Sequence, residues 1–150
     1  SEEKARKIKA SGLPRMKMPE QDPSRRASNF EEVPYGITLE MAMDEASRCL
    51  QCPKPRCKTA CPVNINIPQF IAEISHGNPQ AAAEKLKTQT ALPAVCGRVC
   101  PQENQCEGSC VLGIRGEPVA IGALERFAAD YVRQHNLEKT PEKAAPTGKV

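Results

Sequence analysis

The chain has 150 residues, a formal net charge of +3 and 39% apolar residues, with no tryptophan, three phenylalanines and two tyrosines. That length suits one domain, the charge is too small to argue for nucleic acid, and no stretch approaches the roughly twenty apolar residues of a membrane span. So little large apolar surface predicts a weak core that needs metal cross-links, and with no apolar signal segment the cytoplasm is the expected location.

Residues 1–36 read as a basic arm, loaded with Lys4, Arg6, Lys7, Lys9, Arg15, Lys17, Arg25 and Arg26 and broken by Pro14, Pro19, Pro23 and Pro34. A short helix is predicted over Ser1 to Ser11, with extended chain lying on another surface after it. Such an arm is either solvated or a docking arm for a larger partner. Thr38 is the predicted N-cap of a helix running to about Cys49, with Met41, Ala42, Ala46 and Leu50 on one face. Loops follow, because Pro53, Pro55 and Pro62 forbid a continuous helix. Pro68 opens a helix that Gly77 stops, and Asn78 and Pro79 open another through about Thr88, together an αα-hairpin. The stretch Cys96 to Cys110 reads as loop-rich. Pro118 opens the last helix, ending near Asn136, and residues 137–150 have linker composition. The expected body is therefore all-α, over residues 37–136.

All eight cysteines fall between Cys49 and Cys110, as C-x2-C-x4-C-x3-C-P and then C-x3-C-P-x4-Q-C-x3-C. They are Cys49, Cys52, Cys57 and Cys61, then Cys96, Cys100, Cys106 and Cys110. Three chemistries compete. A disulfide scaffold needs an oxidising compartment and is usually shorter than about 80 residues. Structural zinc usually pairs two C-x2-C or C-x2-H knuckles, and only one C-x2-C is present. Two 4Fe–4S clusters fit the donor count, the turn-length spacing and the Cys-Pro punctuation best.

Connectivity stays open on spacing alone. In bacterial ferredoxins the fourth cysteine of a related run crosses to the other cluster. By that logic Cys61 leaves Cys49, Cys52 and Cys57 for the neighbouring site; four first and four last is the alternative. His76 and His135 both fall at helix ends, where a charged, exposed imidazole is favoured. On a helical wheel Glu125 borders an apolar arc of Ala120, Ile121, Leu124, Phe127, Ala128, Tyr131 and Val132, while Arg126 points away.

The segments MPEQDPSRR, EASRCLQCPKPRCKTACPVNINIPQFI, LPAVCGRVCPQENQCEGSCVLG and VAIGALERFAADY resemble one known module. It is the N-terminal iron–sulfur domain of the NADPH-dependent glutamate synthase small (beta) subunit. Similar modules occur in dihydropyrimidine dehydrogenase and in the large subunit of NADH-dependent ferredoxin:NADP oxidoreductase. The resemblance implies an α-helical ferredoxin-like domain with two 4Fe–4S clusters. It implies Cys49, Cys52, Cys57 and Cys110 as ligands of the first, and Cys61, Cys100, Cys106 and Glu125 as ligands of the second. Cys96 is left over, as packing or as an alternative ligand. The segment APTGKV resembles the approach to a dinucleotide-binding fold, with no G-x-G-x-x-G after it, so the chain reads as a piece of a larger protein.

The expected function is electron transfer between FAD and NADPH in the remainder of the parent protein and a partner redox centre, the large glutamate synthase subunit or an equivalent. The domain carries no nucleophile–base pair and no phosphate-cradling loop, so no catalytic residue is expected in it. The competing reading is a metal-stapled interaction module in which zinc or clusters are structural.

Overall fold

Most helix starts in this chain are marked by a proline or by a capping side chain. The structure, a computed structural model, describes residues 12–139 and residue 148; the helix expected over Ser1 to Ser11 and most of the expected linker lie outside them. In chain order come α1 (Pro23–Arg26), α2 (Leu39–Ser47), α3 (Arg56–Thr59), α4 (Ile67–Ser75), α5 (Pro79–Lys87), α6 (Pro93–Val99) and α7 (Ile121–Gln134). Two 3-10 turns, Gln102–Asn104 and Val111–Ile114, lie between α6 and α7. Among the described residues there is no strand, only an isolated antiparallel bridge between Glu20 and Pro34. The architecture is all-α, as expected.

Thr38 caps α2 by accepting the Met41 amide on Oγ1 at 3.2 Å. Proline occupies the first turn of α4, α5 and α6, where its missing N–H costs nothing. Gly77 turns the chain between α4 and α5 at φ +76°, a left-handed conformation that glycine adopts without strain. Phe70, Ile71 and Ile74 of α4, Leu86 of α5 and Leu124 of α7 are fully buried together, which makes the α4–α5 hairpin and α7 the heart of the core. Helix α2 packs on α4, and α6 lies along α7.

Four expectations are corrected. The last helix begins at Ile121 rather than Pro118, because the approach to it is held in another conformation. Arg48 takes the carbonyls of Glu117 and Pro118, and the Ala120 amide donates to Glu45 Oε1 at 2.8 Å. The second cysteine run is helical at its start, since α6 passes through Cys96 and ends at Val99, with Cys100 as its C-cap. The first run carries a short helix, α3, that starts after Pro55. The arm is not simply extended either. From Pro19 to Tyr35 it folds back on itself around α1, with Gln21 N donating to Val33 O at 2.9 Å and Tyr35 N to Pro19 O at 2.8 Å.

Candidate metal centre

The eight cysteines are all free thiols, and their surroundings sort them into two neighbourhoods. In the first, Cys49 follows the last turn of α2, Cys52 lies in the loop and Cys57 stands on α3. Cys110 joins them from far along the chain, at the start of the second 3-10 turn. These four line one cavity, floored by Ile67 and Ile71 of α4 and by Val119 and Ile121 at the start of α7. Burial pushes the Cys49 thiol up to about 11, with Cys57, Cys110 and Cys52 adding to the effect as like-charged neighbours. Burial likewise raises Cys57 to about 11, with Cys110 as its foremost charged neighbour. Gln51 Nε2 reaches the Cys49 sulfur at 3.5 Å.

In the second, Cys61 and Glu125 are charged neighbours of both Cys100 and Cys106, and Cys96 is a neighbour of Cys100. The Cys100 thiol is raised by burial first, then by Cys96, Glu125 and Cys61. Burial pushes Cys106 up to about 12, with Glu107, Cys61 and Glu125 as the charged groups that raise it further. Glu125 is 7% exposed, and burial alone pushes its carboxyl up to about 7. Its Oε1 atom is buried without a hydrogen-bond partner among the described residues. A buried carboxylate oxygen left unpaired costs free energy unless something positive binds it.

Helix contact sets this second group. A Cβ on Gly97 would stand 2.6 Å from the Arg126 amide nitrogen and 2.8 Å from the Gly122 carbonyl oxygen. Only glycine lets α6 approach α7 this closely, and that approach brings the α6 cysteines to Glu125. Gly122 leaves room in turn for the Gln102 side chain.

Charged residues not singled out from the sequence hold the cysteine loops in place. Glu45 and Arg48 pair at 2.6 Å with both side chains buried, immediately before Cys49. Glu45 also accepts the Met16 amide at 2.8 Å, and Arg48 Nε donates to the Leu13 carbonyl at 3.0 Å, which seats the arm on the body. Glu107, directly after Cys106, accepts the Gly122 amide on Oε1 at 3.0 Å. Arg126, expected to point away, is 5% exposed and runs beneath the arm, where its Nη2 donates to the Pro34 carbonyl at 2.9 Å. It belongs to a network with Arg98, Glu32 and Asp130 that ties the arm, α6 and α7 together. Glu45 was findable, since it shares the apolar face of Ala42 and Ala46; the others gave no periodic signal. His76 and His135 are exposed, and the His135 ring stacks on Tyr131.

Among the described residues, no three His, Cys, Asp or Glu side chains converge on one point that would hold a single metal ion. A zinc site draws its donors to within about 2–2.3 Å of one ion, whereas a cluster spreads its donors over separate irons. Dispersed thiols around a cavity and an orphaned buried carboxylate oxygen fit a polynuclear iron–sulfur group. No helix among the described residues is long and apolar enough to cross a membrane.

Fold and site together define a helical, cysteine-rich metal-binding domain. The family model for dihydropyrimidine dehydrogenase domain II, 4Fe-4S cluster, matches residues 26–137, and the chain belongs to that family. The chain is 42% identical over 113 residues to the glutamate synthase [NADPH] small chain of Halomonas elongata, covering 75% of this chain and 24% of the relative. It is 37% identical over 121 residues to the NAD-dependent dihydropyrimidine dehydrogenase subunit PreT of Escherichia coli K12, covering 81% of this chain and 29% of the relative. The Azospirillum brasilense glutamate synthase [NADPH] small chain is 37% identical over 117 residues, covering 76% and 24% respectively. The chain thus spans roughly a quarter of the length of the curated relatives it matches.

Proposed function

We propose that this is an electron-transfer domain carrying two 4Fe–4S clusters within a flavoprotein oxidoreductase. The observation that carries the reading is the sorting of the donors. Cys110 stands with Cys49, Cys52 and Cys57 around one cavity, while Cys61 stands with Cys100, Cys106 and the unpaired Glu125. In this reading the first group holds one cluster and the second group the other. When bound, the clusters supply one-electron chemistry. The protein's own residues bind and space the two sites, exclude water with the aliphatic walls of α4 and α7, and offer one site an oxygen donor in place of a fourth thiolate. That difference separates the potentials of the two sites.

The parent enzyme is proposed to be of the NADPH-dependent glutamate synthase type. FAD and NADPH then bind in the rest of the protein, and electrons leave towards the large subunit or an equivalent partner in the cytoplasm. The 42% identity to a glutamate synthase small chain supports this parent; the 37% identity to a dihydropyrimidine dehydrogenase subunit marks the second reading. Domain limits of 1–36 for the arm, 37–136 for the cluster body and 137–150 for a linker complete the proposal.

Iron, zinc and acid-labile sulfide per chain, measured on anaerobically purified protein, test it. About eight iron and eight sulfide are expected. About two zinc without sulfide would establish a structural zinc module instead. Pyridine-nucleotide oxidation by the full-length protein, with glutamine and 2-oxoglutarate or with a pyrimidine as acceptor, separates the two parents.

A further inference from the structure

Four irons need four protein donors, yet the second site has five groups within its neighbourhood. Cys96 is the fifth. It stands on α6 one turn before Cys100, whose amide donates to the Cys96 carbonyl at 3.1 Å. Residues one turn apart leave the same face of a helix, so the two thiols are neighbours. Beside Cys96, Gly97 presses α6 onto α7 at Arg126 and Gly122, the level from which Glu125 departs. Cys96 on α6 and Glu125 on α7, two helices in contact at Gly97, are thus both charged neighbours of Cys100.

Neither flanking group is locked by an ion pair among the described residues. Cys96 is half-buried, with its sulfur 3.9 Å from Thr90 Oγ1 and Cys100 as its other side-chain partner. Glu125 Oε1 has no donor among the described residues. The two groups also differ in kind. A carboxylate is a hard oxygen donor, and a thiolate is the soft donor that iron–sulfur clusters ordinarily take.

We propose that Cys96 is an exchange ligand of the second cluster, taking over the iron corner that Glu125 holds. This inference rests on the two-cluster reading above. In the exchange the Glu125 oxygen–iron bond breaks and the Cys96 sulfur–iron bond forms. The thiol proton passes to the freed carboxylate, so no electron is consumed and the charge of the site is unchanged. The domain then has two ligation forms at one corner, and the potential of that site differs between them.

The test compares wild type, Cys96→Ser, Glu125→Ala and the double variant, all purified anaerobically. Iron and sulfide per chain are read together with the EPR spectrum after dithionite reduction. Wild type and both single variants are expected to keep about eight iron, with the Glu125→Ala spectrum altered in one cluster only. The double variant is expected to fall to about seven iron or fewer. Loss of iron from either single variant would overturn the exchange, as would a double variant that keeps its iron and matches the Glu125→Ala spectrum. A wild type well short of about eight iron fails the two-cluster reading itself, and is told apart by needing no variant.

Discussion

Arg15 in the N-terminal arm donates from Nη2 to Glu107 Oε2 at 2.6 Å, joining residues 92 positions apart in the chain. Glu107 follows Cys106 directly, and its other oxygen accepts the Gly122 amide in the first turn of α7. Arg15 also donates to the Pro118 carbonyl at 3.0 Å. One side chain of the arm thus holds both the loop that carries Cys106 and the approach to the helix that carries Glu125.

Arg15→Ala leaves the Glu107 carboxylate buried without its guanidinium partner. The expected cost is about 1–3 kcal/mol, with faster iron loss on exposure to a chelator. Thermal unfolding of the cluster-loaded protein measures the first and loss of visible absorbance the second. An unchanged midpoint together with an unchanged rate of iron loss would show that the arm merely rests on the body.

Glu45→Ala strips the buried Arg48 of its partner and frees the Met16 and Ala120 amides. Removal of one member of a buried ion pair costs about 3–5 kcal/mol. Urea unfolding of the loaded protein should show a loss of this size. A loss below about 1 kcal/mol, the range of an exposed pair, would contradict the clamp.

Gly97→Ala drives a methyl group into the α7 backbone, which has no flexible end to yield. Overpacking of this kind costs about 1–3 kcal/mol. Its effect should fall on the second site, because Cys96 and Cys100 move with α6 while Cys49, Cys52 and Cys57 do not. On the proposed two-cluster reading, EPR of the reduced variant should show one altered cluster and one unaltered; equal disturbance of both would refute the placement of α6.

Metal-free protein should lose stability in two pH windows. Glu125 has a carboxyl raised from 4.5 to about 7, so the folded state binds its proton more tightly than the unfolded state. That contribution is whole below pH 4.5 and is lost as pH rises through 7, on the order of 3 kcal/mol. Cys49 and Cys57 at about 11 and Cys106 at about 12, against an ordinary 9.0, act in the same direction at higher pH. Urea unfolding of chelator-treated protein against pH checks both windows. Glu125→Gln should abolish the lower one and leave the upper one in place.

Much of this architecture is legible along the chain. Thr38 and the prolines that open α4, α5 and α6 act within a turn or two of their own positions, so helix starts follow from local chemistry. The exceptions have tertiary causes. Pro118 would have opened the last helix, but Arg48 and Arg15 engage the carbonyls ahead of it and delay the start to Ile121. Arg126 sits where a helical wheel places solvent, yet the arm covers that face and supplies the Pro34 carbonyl.

By itself, the order of residues determined the donor chemistry: eight thiols at turn-length spacing, in a chain with few large apolar residues. Which donors stand together was decided only in three dimensions. Spacing left Cys61 open between two groups, and it gave Cys110 no reason to join a loop more than fifty positions earlier. The packing of α7 against the α4–α5 hairpin and against α6 brought those distant segments together. Proximity in a fold comes from burial of apolar faces, which acts without regard to distance along the chain.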